Sequence, residues 1–333
     1  MSLSNKWLKN NLCSTAIMGV LITFSASSYA KEVSMESAVA NSVLGMIPQS
    51  MATYWAKDGI DLQLSLNQTL TKSLLKVAAG KLDSALVPPL AFDALKKGVG
   101  PYKKMGNKAT QLASNVRTLF GVPGSLFQAV TWADDDIKNW SDAAGKRVFI
   151  GPPSSAANKQ IMALATAGGL TEGSYDPIKA PWGAATQSFQ DGQFDVYVGA
   201  FGFASQSLAE LSLSHKIRIL SLASENQEPP AELGLQIAII PPNTYPGQVN
   251  ESPAITWQTL MMMAVHKDFS EETAYQLTKT YFENRAAVAK TNAMLTQLPT
   301  IDHLAGVNAP LHPGALRYFK EIGVSVPDNL LPQ

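Results

Sequence analysis

The sequence predicts an α/β protein built in two lobes, and three observations carry that expectation. Short apolar runs alternate with stretches of helical periodicity along most of the chain, the pattern of strand–helix units. The chain has 333 residues, enough for two separate cores. Two polar stretches, 132–146 with Asp134-Asp135-Asp136 and 224–232 with Pro229-Pro230, interrupt the alternation where the chain would cross between lobes.

Taken in order, the expected strands are 62–66, 85–87, 116–122, 127–132, 147–150, 194–198, 217–222 and 235–240. These are short apolar runs between the helical stretches. The expected helices lie near 69–79, 90–97, 155–167, 184–190, 203–213, 269–289 and 313–322. For 269–289, Asp268 is positioned as a cap with Glu271 three residues on, and Ala274, Leu277, Tyr281 and Val288 fall near one face. Helix 155–167 begins after Ser154 and stops at Gly168-Gly169. The apolar stretch 259–265 is too short to cross a membrane and reads as a buried strand or helix segment. Gly121-Val122-Pro123-Gly124-Ser125 lies between two strand-like runs and reads as a turn.

Residues 1–30 read as an export signal. Lys6 and Lys9 precede an apolar run at 16–24, and Ser28-Tyr29-Ala30 forms a small-x-small cleavage site before Lys31. The one cysteine, Cys13, precedes the apolar run instead of closing it, unlike a lipoprotein anchor. Residues 31–333 therefore carry no disulfide, thiolate metal site or cysteine nucleophile. The 26 basic and 26 acidic residues balance and form no basic run, so nothing marks a nucleic-acid partner. A hydrophobic content of 46% with scattered charge argues for a globular fold over a disordered one. The expected product is exported, soluble and periplasmic.

Signatures of catalysis are missing. None of His215, His266, His303 and His312 has a ligand-spaced partner. No G-x-S-x-G elbow, P-loop or G-x-G-x-x-G is found. The three consecutive aspartates lack the glycine and distal glutamate of a calcium loop and read as a solvated loop before a short helix near 137–140. The sequence thus predicts no enzyme, no metal and no cofactor, although two of the many carboxylates could still converge in a fold.

Several segments share an order with one known family. Lys146-Arg147-Val148-Phe149-Ile150-Gly151-Pro152-Pro153-Ser154-Ser155-Ala156-Ala157-Asn158 leads into a helix and Gly168-Gly169-Leu170. A strand feeding a polar loop and then a helix gathers free N–H groups, hydroxyls and the positive end of a dipole, a seat for a carboxylate. A serine there also serves as a plain helix cap. Earlier stands Val77-Ala78-Ala79-Gly80-Lys81-Leu82-Asp83-Ser84-Ala85-Leu86-Val87. Then come Phe189-Gln190-Asp191-Gly192-Gln193-Phe194-Asp195-Val196-Tyr197-Val198, with Gly199 to Ser205 following, and Asn243-Thr244-Tyr245-Pro246-Gly247-Gln248, which by itself reads as a surface turn. The last is Leu311-His312-Pro313-Gly314-Ala315-Leu316-Arg317-Tyr318-Phe319-Lys320-Glu321, a structural tail on which Arg317 and Glu321 can pair one turn apart. Together these segments resemble the TAXI family, the solute-binding proteins that serve TRAP transporters. The departures are local. Ser154-Ser155-Ala156 replaces Gly-Ser-Gly, Ala204 replaces a usual Pro, Pro88-Pro89-Leu90 replaces polar residues, and the opening glycine-rich loop, here 42–49, keeps one glycine.

The resemblance implies a two-lobe periplasmic binding protein of type II form. Each lobe would be a mixed sheet flanked by helices, with the ligand cleft between them. One lobe would comprise 31–132 plus 229–333, and the other 133–228. It implies a protein that captures a small anionic organic solute and delivers it unchanged to TRAP membrane subunits; no coiled coil or basic assembly surface shows in the sequence, so a monomer is expected. The ligand would meet Ser154, Ser155 and Asn158, with Gln68, Thr69, Trp182, the loop Phe201-Gly202-Phe203 and Pro88 as walls. If Pro88, Pro89, Leu90, Met46, Phe201 and Phe203 line it, the pocket suits a larger or more apolar monocarboxylate. A ligand sensor signalling to a membrane receptor is the alternative from another class.

Overall fold

In a computed structural model, residues 30–332 are described except 41, 154, 225–226, 292–294 and 296–300; the expected signal segment up to residue 29, and Ser154, lie outside the described residues. Two long strands organise the rest. β4 spans Val116–Trp132 and β10 spans Ala254–His266. Before β4 come β1 (Lys31–Glu36), α1 (Val43–Lys57), β2 (Ile60–Ser65), α2 (Leu70–Ala78), β3 (Ser84–Val87), α3 (Pro89–Lys97) and α4 (Asn107–Ala113). Between the two come β5 (Arg147–Phe149), α5 (Ala156–Ala167), β6 (Asp176–Ile178), α6 (Trp182–Gln190), β7 (Val196–Phe201), α7 (Gln206–Ser214), β8 (Ile217–Ile219) and β9 (Leu235–Ile240). α8 (Glu271–Ala289) and α9 (Pro313–Glu321) follow.

The fold is mixed α/β. Among the described residues the strands run in the order β2-β1-β3-β10-β4-β7-β5-β6, with β9 on β10 and β8 on β4. β1, β2 and β3 are mutually parallel, as are β5, β6 and β7; β10 and β4 are antiparallel to their neighbours. The second half of β10 pairs with the first half of β4. Beyond that the two strands part, and the chain of β8 wedges between them: Leu220 N–H donates to Ala129 and Leu222 N–H to Ile255, each at 2.8 Å.

Helices cover both faces of the sheet, so strand residues are buried alternately on either side. Met261, Met263 and Val265 join a core with α1, α8 and α9, while Met262 and Ala264 join one with α2, α3 and α4. Past the fork, Phe127 and Ala129 pack with α5, whereas Leu126 and Val130 pack with α6 and α7. A strand buried on both faces shows no alternation, which is why 259–265 could not be assigned from its pattern.

The transition falls at a bulge. Gln258 pairs with Leu126 and Leu260 with Pro123, so Gly124 and Ser125 together oppose the single residue Thr259. A Cβ on Gly124 would fall on the Thr259 hydroxyl and stand 2.9 Å from its carbonyl oxygen. The turn expected at 121–125 is therefore continuous strand: Pro123 and Gly124 shape a bulge within β4, which joins the two expected strands into one.

Local chemistry corrects other boundaries. The stretch 42–49, expected as a loop, opens α1, with Ser42 accepting from the Gly45 N–H at 3.2 Å. Pro48 has no N–H for the Leu44 carbonyl, and the Ser37 hydroxyl donates there instead at 2.7 Å. Ser270, not Asp268, caps α8 by accepting from Thr273 N–H. Arg317 pairs with Glu271 and Glu272 of α8 at 3.5 and 2.7 Å instead of with Glu321, which accepts from the Tyr275 hydroxyl at 2.6 Å. The terminal motif fixes α9: His312 Nδ1 accepts from Gly314 N–H at 3.3 Å, Pro313 takes the first helical position, and Gly314 lies against the α8 backbone, 2.7 Å from Tyr275 N to where its Cβ would be.

Two outcomes follow from this packing. Gly124→Ala should lower the unfolding free energy by about 1–3 kcal/mol through forced repacking. Gly183→Ala, in α6 with open space around it, should be neutral or stabilise by about 0.4–1 kcal/mol; urea titration compares them. Burial holds the His312 imidazole below its ordinary pKa, against the carbonyls of Phe269 and Lys267 and the carboxylate of Glu271. The unfolded chain protonates this ring as pH falls through about 6.5 and the folded chain only lower, so the stability tied to the neutral ring is complete above that pH and lost below it. His303, lowered by burial and Arg285, acts in the same sense. The loss of stability on going below about pH 6.5 should be shallower in His312→Asn, which keeps a capping side chain.

Candidate functional site

The registers point both halves of the sheet at the crossing. β3 ends with Val87 opposite Met262, and β7 ends with Phe201 opposite Leu126. The chain leaving each strand thus emerges beside residues 123–126 and 258–260, one from either side. Their parallel neighbours end the same way, so α1, α2 and α3 start on one side of this crevice and α5, α6 and α7 on the other. Ligands of open α/β sheets bind at such strand ends.

None of these six helices has an acidic residue in its first turn. α8, which starts elsewhere, carries Glu271 and Glu272 there. A helix N-terminus presents about half a positive charge, and acids that would neutralise it are absent from all six. The segments 37–46, 66–73, 88–92, 150–159, 179–185 and 202–209 contain Lys72, Lys159 and Lys179 and no carboxylate or arginine. All three lysines are exposed. Glu36, at the end of β1, is taken up by Lys76 at 2.5 Å and the Ser73 hydroxyl at 2.6 Å.

One expected group comes together. Ser155 caps α5, its hydroxyl oxygen accepting from Ala157 N–H at 3.2 Å. The Asn158 amide donates to the Ile150 carbonyl at 2.6 Å and holds the loop in shape. Gly151 sits at φ +93°, and a Cβ there would lie 3.3 Å from the Trp182 indole and 3.5 Å from Asn158 Nδ2. Trp182, 36% exposed, stands edge-on to Phe149 with centroids 5.4 Å apart. Gly151, Ser155, Asn158 and Trp182 therefore gather around one loop, and the polar side chains among them already serve that loop.

The other residues divide. Phe201 covers Gly199 and stands edge-on to Tyr197 at 5.3 Å, half-buried. Phe203 is 3% exposed within the α6–α7 core. Gly202 is buried, and its carbonyl accepts from Gln128 Nε2 at 3.1 Å. Across the crevice, Gln68 turns its amide back to the Leu66 carbonyl at 2.9 Å, and Thr69 precedes α2 without capping it. Pro88 precedes α3, Pro89 accepts from Asn308 Nδ2 at 3.0 Å, and Met46 packs on the first core. Side-chain caps occupy α1 and α5, while α2, α3, α6 and α7 start without one.

Sequence reasoning missed two buried glutamines at the crossing. Gln128 and Gln258 are fully buried on the two crossing strands. Gln258 Nε2 donates to the Gly124 carbonyl at 3.0 Å, Oε1 accepts from Gln236 at 3.1 Å, and the Thr259 hydroxyl donates to the Ser125 carbonyl at 3.1 Å. The available signal was a glutamine inside each of two otherwise apolar runs. The 243–248 turn is more than surface: Tyr245 is 1% exposed, with its hydroxyl donating to Gln128 Oε1 at 2.9 Å.

Among the described residues no three His, Cys, Asp or Glu side chains gather as a metal site, and no helix is long and apolar enough to cross a membrane. The fold matches solved periplasmic binding proteins. The aliphatic sulphonate binding protein SsuA of Escherichia coli is 13% identical, with 90% of this chain and 96% of that one covered at a TM-score of 0.50. A sulfonate-binding SsuA from Methylobacillus flagellatus KT is 12% identical, covering 92% and 81% at 0.52. A TRAP periplasmic solute binding protein from Rhodobacter sphaeroides is 10% identical, covering 80% and 83% at 0.48. The sequence match is broader in what it establishes: it runs from residue 47, inside α1, to residue 323, just past α9, and by it the chain belongs to the NMT1-like family.

Proposed function

We propose that this protein is an extracytoplasmic solute-binding protein that closes two lobes on a small organic anion and passes it, unchanged, to a transporter in the membrane. The observation that carries this is the convergence of six helix N-termini, with no acid in any first turn, on one crevice between two half-sheets. An anion there meets positive dipole ends and open N–H groups. The fold likeness to SsuA supports a binding role over catalysis. The ordered TAXI-like segments favour TRAP-type membrane subunits as the partner, with the protein working as a monomer in the periplasm. On the strand registers we set the lobe limits at the bulge, 31–123 with 260–332 against 126–258, because β9 and the first half of β10 pack with β4 and β8.

The walls favour one anionic head on an apolar body. In this reading Trp182, Phe201, Pro88 and Leu90 line the crevice, and the segments around it offer no arginine for bidentate pairing with a second carboxylate. A sulfonate has the same single-headed chemistry as a monocarboxylate.

A thermal-shift screen of residues 31–333 tests the reading. Straight-chain monocarboxylates and alkanesulfonates should raise the melting temperature, since ligand at 100 times its Kd stabilises by about 2.7 kcal/mol. Glutamate and 2-oxoglutarate should not. A rise with the dicarboxylates alone would refute the apolar pocket, and no rise with any organic acid would refute the anion-binding role. For the best hit, Trp182→Ala should weaken binding about tenfold, or about 1.4 kcal/mol, with the melting temperature of the free protein held within about 4 °C; unchanged affinity by calorimetry would remove Trp182 from the wall.

A further inference from the structure

The Gly202–Ser205 loop, between β7 and α7, has a conformation its own sequence disfavours. Ala204 lies at φ +47°, a left-handed value that crowds its Cβ against the backbone. Two groups behind the loop hold its start. Gln128, fully buried on β4, donates from Nε2 to the Gly202 carbonyl at 3.1 Å. The Tyr245 hydroxyl donates to Gln128 Oε1 at 2.9 Å and so fixes which way that amide faces. One side-chain pair thus holds the carbonyl that opens the loop ahead of Ala204. The grip is stiff because both groups are out of water: releasing Gly202 would leave a buried amide without a partner. Tyr245 is itself seated firmly, since its N–H donates to Gln248 Oε1 at 3.3 Å and a Cβ on Gly247, two residues on, would fall on the Ser212 carbonyl.

We propose that Tyr245 and Gln128 are positioning residues of the cleft: Tyr245 orients Gln128, Gln128 holds the Gly202 carbonyl, and together they keep Ala204 left-handed and so set, from behind, the loop surface offered to the ligand. The role in binding rests on the solute-binding reading above; the grip does not. It gives the 243–248 segment a function that a surface turn would lack. It also accounts for an alanine at a position where glycine would be free of strain.

Hydrogen exchange on the ligand-free chain, residues 31–333, tests the grip with Tyr245→Phe, Ala204→Gly and the double variant. Tyr245→Phe removes only the hydroxyl. It should speed exchange of amides 203–207 at least about tenfold, because strain at Ala204 then opens the loop. Ala204→Gly alone should exchange no faster than the parent, and the double variant should return to within about threefold of it. A tyrosine that merely fills core space would show no such rescue. Unchanged exchange at 203–207 in Tyr245→Phe, or a double variant as fast as Tyr245→Phe alone, overturns the proposal. Neither result depends on a ligand, so a failed ligand screen and a failed grip are told apart.

Discussion

Everything in this molecule turns on the two strands that pass from one half of the sheet to the other without a break. At their crossing, two residues of β4 face one of β10, and Gly124 gives way to the Thr259 side chain and carbonyl. The extra residue bends β4 and frees it from β10, which lets β8 enter the fork and start a second set of neighbours. A regular antiparallel pair here would continue one flat sheet. The bulge makes two half-sheets, and the crevice exists because both sets of parallel strands then end at it.

The electrostatics follow from that topology. A parallel strand followed by a helix puts the helix N-terminus at the strand's C-terminal end, so two facing sets of such units gather dipole ends of one sign in one place. Many helices soften this with aspartate or glutamate in the first turn, as α8 does. The six at the crevice do not, and the segments around their starts contain Lys72, Lys159 and Lys179 without acids. Favourable charge comes mostly from backbone, which suits an anion whose body makes apolar contacts.

Beneath the crossing, two polar side chains sit among otherwise apolar strand residues. Gln128 and Gln258 sit in the interior with both ends of their amides used, and each spends a bond on backbone of the bulge or of the β7–α7 loop. Buried amides are tolerated only when satisfied, so these bonds fix where the two strands and the β7–α7 loop lie relative to each other.

The amino-acid pattern by itself determined the alternation of strands and helices, the cap pair Gly168-Gly169 ending α5, and the structural nature of the terminal segment. Those features depend on neighbours a few residues apart. His312, Pro313 and Gly314 act within one helical turn and against one partner helix. Tertiary structure decided the rest. Pro123-Gly124 carries the letters of a turn and is a bulge, because the choice depends on Thr259, far along the chain. The 42–49 stretch has a glycine and a proline and is helix, because Ser37 supplies the bond that Pro48 withholds. Ser155 was readable as a ligand contact or a cap and spends its oxygen on the cap. Gln128 and Tyr245 were invisible, since only folding brings them together behind the start of one loop. Local pattern reports what a residue can do with its sequence neighbours, and the crevice is made of contacts between residues that have none in common.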